Sequence, residues 1–434
     1  MPTYIIYSIN FMRGVFKINS YIIEGGRKIE GIVNVGGSKN ASLPILAATI
    51  LNSNSSRLYN IPNIKDTKIT LDILKLLGCK IRRTSDKIEV NSREIKKTEI
   101  PTHLMREMRS TVILAGALIG RFKEVTFTYP GGCDIGARPI DLHLKAFKKL
   151  GIDVIEECGY IKCKAEKIVG TDINLDFPSV GATENIILAS VLAEGTTVIN
   201  NAATEPEIVD LANFLKKMGA RIEGAGTIKI IVKGVKKLYG VGYNVMEDRI
   251  EAGTLLCAAA ATGGSITLKN ANENNLNAIL NKLSECGCRI TLDDKLIKLD
   301  APKRLKPIEL KTMPYPGFPT DLQQVFGAMI TKASGTSVIV ENIFENRFKY
   351  ISELRKMGAK VTLEGNTAIV TGVRKLSATN LECVDLRGGA ALVIAGLMAK
   401  GKTKIDNIDY ILRGYENLDE KLNSLGAKIR LEKL

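Results

Sequence analysis

The sequence predicts an α/β fold of two inside-out α/β barrel (β/α prism) domains, each made of three repeated units of about 70 residues. Three observations predict it. An element of the form x-x-Gly-x-x-Ile/Val recurs six times, in LLGCKI, KLGIDVI, KMGARIE, ECGCRIT, KMGAKVT and SLGAKIR, and its glycines (Gly78, Gly151, Gly219, Gly287, Gly358, Gly426) are 73, 68, 68, 71 and 68 residues apart. An alanine-rich apolar segment recurs in the same phase, and a short turn and a β-rich run recur behind it.

Within a unit the alanine-rich segment comes first. SLPILAATIL, TVILAGALIG, NIILASVLAEG, TLLCAAAATGG, QQVFGAMITKASG and ALVIAGLMAKG are apolar nearly all round, so each must be a helix buried on every side. In the last four units a turn and a strand follow, as TTVINNA, SITLKNA, TSVIVENI and TKIDNI. An amphipathic helix comes next, as in DTKITLDILKLLG and ENLDEKLNSLG, and the repeated glycine ends it by supplying the left-handed position after the last turn. Runs such as KIRRTS and KIEVNS then read as strands. A unit is therefore helix, strand, helix, strand, strand, with a linking strand beside it. Six units divide naturally into two domains of three, each with its alanine-rich helices inside a ring of sheets.

The chain has 434 residues, enough for two domains with substantial cores. Lysine and arginine number 61 against 46 acids, a net charge of +15 that favours anions: phosphorylated metabolites, nucleic acid or acidic lipid. Eight cysteines without a C-x-x-C, and two histidines far from the cysteine pairs, argue against a metal site; so sparse a set also predicts a reducing, cytoplasmic setting. No apolar run approaches the roughly 20 residues that span a bilayer. MPTYIIYSINFMRGVF has no basic leader region or small-residue cleavage pattern, and Met12 is a candidate start, residues before about 20 reading as a dispensable tail.

Just before the six buried helices stand GGSKN, MRST, PSVGATEN, EDRIEAGT, PTDLQ and DLRGGA. Ser, Thr, Asp and Gly belong at helix N-termini as ordinary caps, and the free N–H groups there also attract anions. If three such termini from each domain face one another, Lys39, Arg109 and Arg387 border one cleft, with Asp321 the single acid among them. Arg138 and Arg413 can extend this clamp, since a guanidinium offers paired donors to carboxylate or phosphate; each also suits an ordinary ion pair. Cationic walls with one carboxylate suit a multiply charged, phosphorylated substrate.

YPGGCDIGARPIDLHL places Cys133 after two glycines and between Asp134 and Arg138. Two readings stay open on local sequence: a small residue in a loop, or an accessible thiol that donates a proton or attacks a substrate. Cys257, in TLLCAAAA, reads as buried packing, and His143 as structural.

Taken in order, GGSKNASLPIL, MRST, YPGGCDIGARPIDLHL, SVGATENI, NAATEPEIVDLANFL, DRIEAGT, YPGFPTDLQ, FENRF, DLRGGAALV and RGYE resemble the motifs of the enolpyruvyl transferases that act on UDP-N-acetylglucosamine, from about Tyr21 to Leu434. The resemblance implies one domain of residues 39–246 and one of residues 1–38 plus 247–434. It implies transfer of enolpyruvate from phosphoenolpyruvate to the sugar 3′-hydroxyl with loss of phosphate, for peptidoglycan precursors, without metal or organic cofactor. It implies Cys133 as proton donor, able to carry a covalent phosphoenolpyruvate or pyruvate adduct and to be alkylated by fosfomycin. Asp321 would take or orient the hydroxyl proton. Lys39, Asn40, Arg138, Arg387 and Arg413 would hold phosphoenolpyruvate. Asn40, Arg109, Arg138, Pro139, Ile140, Asp141, Leu142, Ser179, Val180, Gly181, Asp321 and Ile343 would hold the sugar nucleotide. The expected partners are these small molecules, not nucleic acid or membrane, and the expected state is a monomer. Glu247 and Gly388 stand where the family commonly has proline and alanine.

Three other readings compete. A shikimate 3-phosphate enolpyruvyl transferase would share the fold, but the cysteine loop and SVGATEN argue against it. A nucleic-acid-binding repeat protein suits the charge, but aromatics are only 5% and Trp is absent. A weakly active regulatory paralogue would keep the same charged residues.

Overall fold

The computed structural model describes residues 19–131 and 140–433. Met12 and the loop positions Cys133, Arg138 and Pro139 lie outside the described residues.

The six repeated glycines all adopt left-handed backbone, with φ between 80° and 115°. After each of them the next residue donates its N–H to the carbonyl five positions back, as Cys79 does to Leu74 (2.9 Å) and Ala427 to Leu422 (3.1 Å). A side chain at such a φ is strained, so the repeated element is a helix stop written six times.

The strand order also repeats. In one sheet the linking strand Gly242–Asn244 runs parallel to Ser55–Tyr59, which pairs antiparallel with Lys87–Asn91, which pairs antiparallel with Lys80–Arg83. Four more of the six sheets among the described residues follow this order. In one of them Asn19–Gly25 supplies the strand between Gly401–Asp406 and Ile429–Lys433, so the beginning of the described chain completes its last unit. The sheet of Glu124–Thr128, Asp153–Glu157 and Tyr160–Lys164 has three strands, with a single parallel bridge from Glu99 to Thr126 in place of the linking strand.

The alanine-rich segments form helices Lys39–Ala48, Ile113–Phe122, Val180–Ser190, Arg249–Thr262, Thr320–Met329 and Leu386–Met398. Residues from the first three belong to one apolar core and residues from the last three to another, which also takes Tyr21, Ile23 and Ile29. Burial almost all round follows from sequences with no polar face to offer water. The MRST motif differs slightly from expectation: it forms a 3-10 turn, Arg109–Val112, that leads into its helix, and no side chain caps that turn.

The chain crosses between the cores twice, and the crossings pair with each other. Ser38 N–H donates to the Met246 carbonyl and Asp248 N–H to the Gly36 carbonyl, both at 2.8 Å. Gly37 faces the Asn60 carbonyl so closely that a Cβ there would overlap it.

Close helix packing depends on small residues. A Cβ on Gly116 would overlap Asn185 Oδ1 and lie 2.6 Å from the Asn185 carbonyl oxygen, while the Gly116 N–H donates to that Oδ1 at 2.8 Å. Gly116→Ala is expected to destabilise the protein by about 1–3 kcal/mol through overpacking, read as a lower Tm. An unchanged Tm would mean that the two helices separate freely.

Candidate active site

Four of the helix-start motifs first do the ordinary task of capping. Ser38 accepts from Ala41 N–H, Ser179 from Ala182, Asp248 from Ile250 and Glu251, and Asp385 from Arg387 and Gly388. Each cap fixes the helix start and so fixes the residue beside it. Lys39 and Arg387 are held where they are by Ser38 and Asp385.

The helix starts converge on a cleft of ≈ 700 Å³ between the two cores. It is lined by Lys39, Asn40, Arg109, Asp141, Leu142, Ser179, Val180, Gly181, Asp321, Ile343, Arg387 and Arg413, which is every described residue of the sequence-based set except Ile140. Ile140 is 2% exposed and packs in a core at the start of the helix Asp141–Lys149, which leaves its backbone rather than its side chain for a ligand. A second cavity, ≈ 1200 Å³, is lined by the paired crossings' Gly37 and Glu247 and contains none of the expected site residues.

Two carboxylates organise the cations. Asp321 accepts from Arg387 Nη2 at 2.9 Å and Nε at 3.3 Å, and from Arg347 Nη2 at 2.5 Å. Burial opposes its ionisation, yet the guanidiniums of Arg387 and Arg347 outweigh that and hold its carboxyl far below the usual range. As it stands, Asp321 is therefore an orienting anion and a feeble base. Asp66 bridges Lys39 Nζ at 2.8 Å and Arg413 Nε at 3.0 Å. Burial works against its ionisation too, and Lys39 and Arg413 prevail, leaving its carboxyl low. Burial pulls the Lys39 ammonium below its ordinary value, with Asp66 resisting and the charges of Arg387 and Arg413 adding to the fall.

Asp321 is not the single acid of the cleft, as the sequence suggested. Asp66, Asp141, Asp176, Glu184, Glu205, Glu207 and Asp385 line it as well. Glu207 holds Arg249 through two bonds, to Nε at 2.9 Å and Nη2 at 3.2 Å. Arg347 also donates to Thr320 Oγ1 at 3.2 Å, and Thr320 in turn donates to Glu341 at 3.0 Å. Glu184, Glu207, Arg249 and Arg347 sit inside quoted motifs whose charges had been given no role; Asp66 has no signal beyond its place in a helix's first turn.

His143 is buried, with Nδ1 2.7 Å from Asn185 Nδ2, in keeping with a structural residue. Cys257 is fully buried and burial pushes its thiol well up, so it is packing rather than reagent. Among the described residues no helix is long and apolar enough to cross a membrane.

Six like units and a cation-lined cleft between two cores make up a fold that the solved structure of the enolpyruvyl transferase NikO from Streptomyces tendae shares, with a TM-score of 0.87 at 23% identity over 96% of this chain and 100% of that one. EPSP synthase from Acinetobacter baumannii is similar at a TM-score of 0.76, with 18% identity over 95% of this chain and 100% of its own. Residues 23–422 match the family EPSP synthase (3-phosphoshikimate 1-carboxyvinyltransferase), and the chain belongs to that family. Within it, the chain is 51% identical to UDP-N-acetylglucosamine 1-carboxyvinyltransferase 2 of Caldanaerobacter subterraneus subsp. tengcongensis, over 96% of this chain and 99% of that protein. It is 45% identical to UDP-N-acetylglucosamine 1-carboxyvinyltransferase of Geotalea uraniireducens, over 95% and 99%.

Proposed function

We infer that the chain is a transferase that moves the enolpyruvyl group of phosphoenolpyruvate to the 3′-hydroxyl of UDP-N-acetylglucosamine, releasing phosphate, in the first committed step of peptidoglycan precursor synthesis. The observation that carries this is near-full-length identity of up to 51% to proteins named for that reaction. The cleft's chemistry is consistent with it. Lys39, Arg387 and Arg413 line one cleft and suit the phosphate and carboxylate of phosphoenolpyruvate. Shikimate 3-phosphate as acceptor is favoured less, because the relatives at 45–51% identity are named for the sugar nucleotide and the EPSP synthase structure is only 18% identical.

In this reading the two domains are residues 39–246 and residues 1–38 plus 247–434, each an inside-out α/β barrel. Separate cores support that division, as does the grouping of strands: no sheet among the described residues mixes strands from the two sets. The sugar O3′ bonds to C2 of phosphoenolpyruvate while C3 takes a proton from Cys133, giving a tetrahedral adduct. Loss of a C3 proton with departure of phosphate restores the double bond. Asp321 accepts or orients the hydroxyl proton, and Arg387, which pairs with it, lowers its basicity until the guanidinium turns to substrate anion. Arg138 joins Lys39, Asn40, Arg387 and Arg413 on phosphoenolpyruvate. Asn40, Arg109, Arg138, Pro139, Ile140 through its backbone, Asp141, Leu142, Ser179, Val180, Gly181, Asp321 and Ile343 hold the sugar nucleotide. The reaction draws on no metal or organic cofactor, the thiol of Cys133 can carry the substrate covalently, and the chain works as a cytoplasmic monomer without nucleic acid or membrane.

Phosphate release tests the reading, with phosphoenolpyruvate plus either UDP-N-acetylglucosamine or shikimate 3-phosphate. Turnover is expected with the sugar nucleotide alone, and turnover only with shikimate 3-phosphate would overturn the acceptor. Cys133→Ala is expected to lose at least about 100-fold in kcat, the usual scale for a general acid. Full activity in that variant would remove Cys133 from the chemistry.

A further inference from the structure

Adjacent residues on the helix Val180–Ser190 are treated in opposite ways. Asn185 is fully engaged: its Oδ1 accepts from Gly116 N–H at 2.8 Å, and its Nδ2 donates to the Val112 carbonyl at 3.0 Å and lies beside His143. It is a staple between helices. Glu184, one residue earlier, is 2% exposed and lines the cleft, yet among the described residues no hydrogen bond or ion pair reaches its carboxyl. Its oxygens are not sealed off, so they face the open space of the cleft.

Its surroundings do not supply a partner. Burial pushes its carboxyl well up, and Glu207 and Glu205 push it further. Arg249, which also lines the cleft, commits Nε and Nη2 to Glu207. Glu205 has an oxygen, Oε2, that is buried with no partner either. Among the described residues no three carboxyl, imidazole or thiol groups converge as a metal ion requires. A carboxyl whose oxygens open on the cleft without a protein partner is available to a bound group there.

The carboxyls around Glu184 are not free anions: Glu207 is paired with Arg249, and burial favours the neutral form of Glu184 and of Glu205. A neutral carboxyl donates as well as accepts, so an uncharged group with hydrogen-bonding capacity suits this wall better than the phosphate and carboxylate that suit Lys39, Arg387 and Arg413. Resting on the acceptor assignment above, we propose that Glu184 is a specificity-determining residue for the sugar acceptor, its carboxyl exchanging a hydrogen bond with an uncharged hydroxyl or amide group of the N-acetylhexosamine.

Calorimetric titration of wild type, Glu184→Gln and Glu184→Leu with UDP-N-acetylglucosamine and with UDP separates this from a structural role, because UDP lacks the sugar. Leucine is expected to weaken the sugar nucleotide at least about tenfold, as loss of one buried hydrogen bond does. It is expected to leave UDP within about twofold and to leave Tm unchanged or raised, since no protein partner is orphaned. Glutamine, which keeps a donor and an acceptor, is expected within about threefold of wild type for both ligands. Should leucine fail to fold, Glu184→Ala must show the same split between the two ligands. Equal loss of UDP and UDP-N-acetylglucosamine, or no loss of either, overturns the role of Glu184 while the transferase reading stands. A wild-type protein that shows no binding of UDP-N-acetylglucosamine overturns both.

Discussion

Asp321→Ala is expected to lower kcat by about 10³-fold, the scale of a lost general base or charge-organising group. Two effects combine in that number. Asp321 forms salt bridges with two guanidiniums whose side chains are only 3% and 4% exposed, so its removal leaves Arg387 and Arg347 to repel each other on the cleft wall. It also removes the group nearest in role to the acceptor's proton. Asp321→Asn separates the two, because the amide keeps the shape and can still accept a hydrogen bond but cannot take a proton. If Asp321 accepts the proton, Asp321→Asn falls nearly as far in kcat as alanine while its Tm stays closer to wild type. Should Asp321→Asn retain wild-type kcat, the proton leaves by another route and the carboxylate is an organiser of arginines alone. Its depressed carboxyl has a definite pH consequence. A group whose folded value lies below the unfolded one near 3.9 contributes stability that is complete above that value and is lost as pH falls through the folded one. Asp321→Asn is therefore expected to flatten the acid limb of the stability profile without changing its alkaline side.

Much of the fold was legible because the repeated features are local. A left-handed glycine at Gly78 or Gly426 is demanded by the geometry of a helix end, and an alanine-rich segment such as TLLCAAAAT has no face to show to water; both announce themselves within a dozen residues. The pairing of the two crossings at Gly37 and Glu247 was not legible, since an antiparallel pair 210 residues apart leaves no mark on either strand. In the cleft, the cations next to helix caps could be read from phase alone. Their counter-ions could not, because burial reverses the ordinary meaning of an acid. Asp66 stands in the first turn of an amphipathic helix, where an acid favours the helix dipole and needs no other explanation. Glu184 lies beside Asn185 in SVGATEN, and only the three-dimensional partners distinguish the satisfied amide from the unsatisfied carboxyl. Ile140 shows the converse: a motif assigns a stretch of backbone to a ligand without saying which side chains turn inward, as this one does.

Asp66→Ala is expected to be the most damaging single change to the part of the cleft lined by Lys39 and Arg413. Asp66 is 1% exposed and joins Lys39, from the same core, to Arg413, from the other, so it is both a neutralising charge and a stitch across the cleft. Removing one partner of a buried ion pair costs about 3–5 kcal/mol, because the remaining charges are left desolvated and uncompensated. The kinetic effect follows from geometry, since misplacing a binding group by about 1 Å costs on the order of 100-fold. KM for phosphoenolpyruvate is expected to rise at least about tenfold and kcat to fall about 100-fold, with the Kd of UDP nearly unchanged because Ser179 and Gly181 are untouched. Lys39 supplies the sign of a further change. Its ammonium is held low by burial, and Asp66 is what resists that fall, so without Asp66 it sheds its proton at lower pH. The alkaline limb of kcat/KM for phosphoenolpyruvate should move toward neutrality in Asp66→Ala, and Asp66→Glu, which keeps the charge, should restore it in part. An alkaline limb that stays in place while kcat/KM falls would mean that Lys39 does not act as a cation on the substrate, and that Asp66 matters only as a tie between the two halves of the cleft.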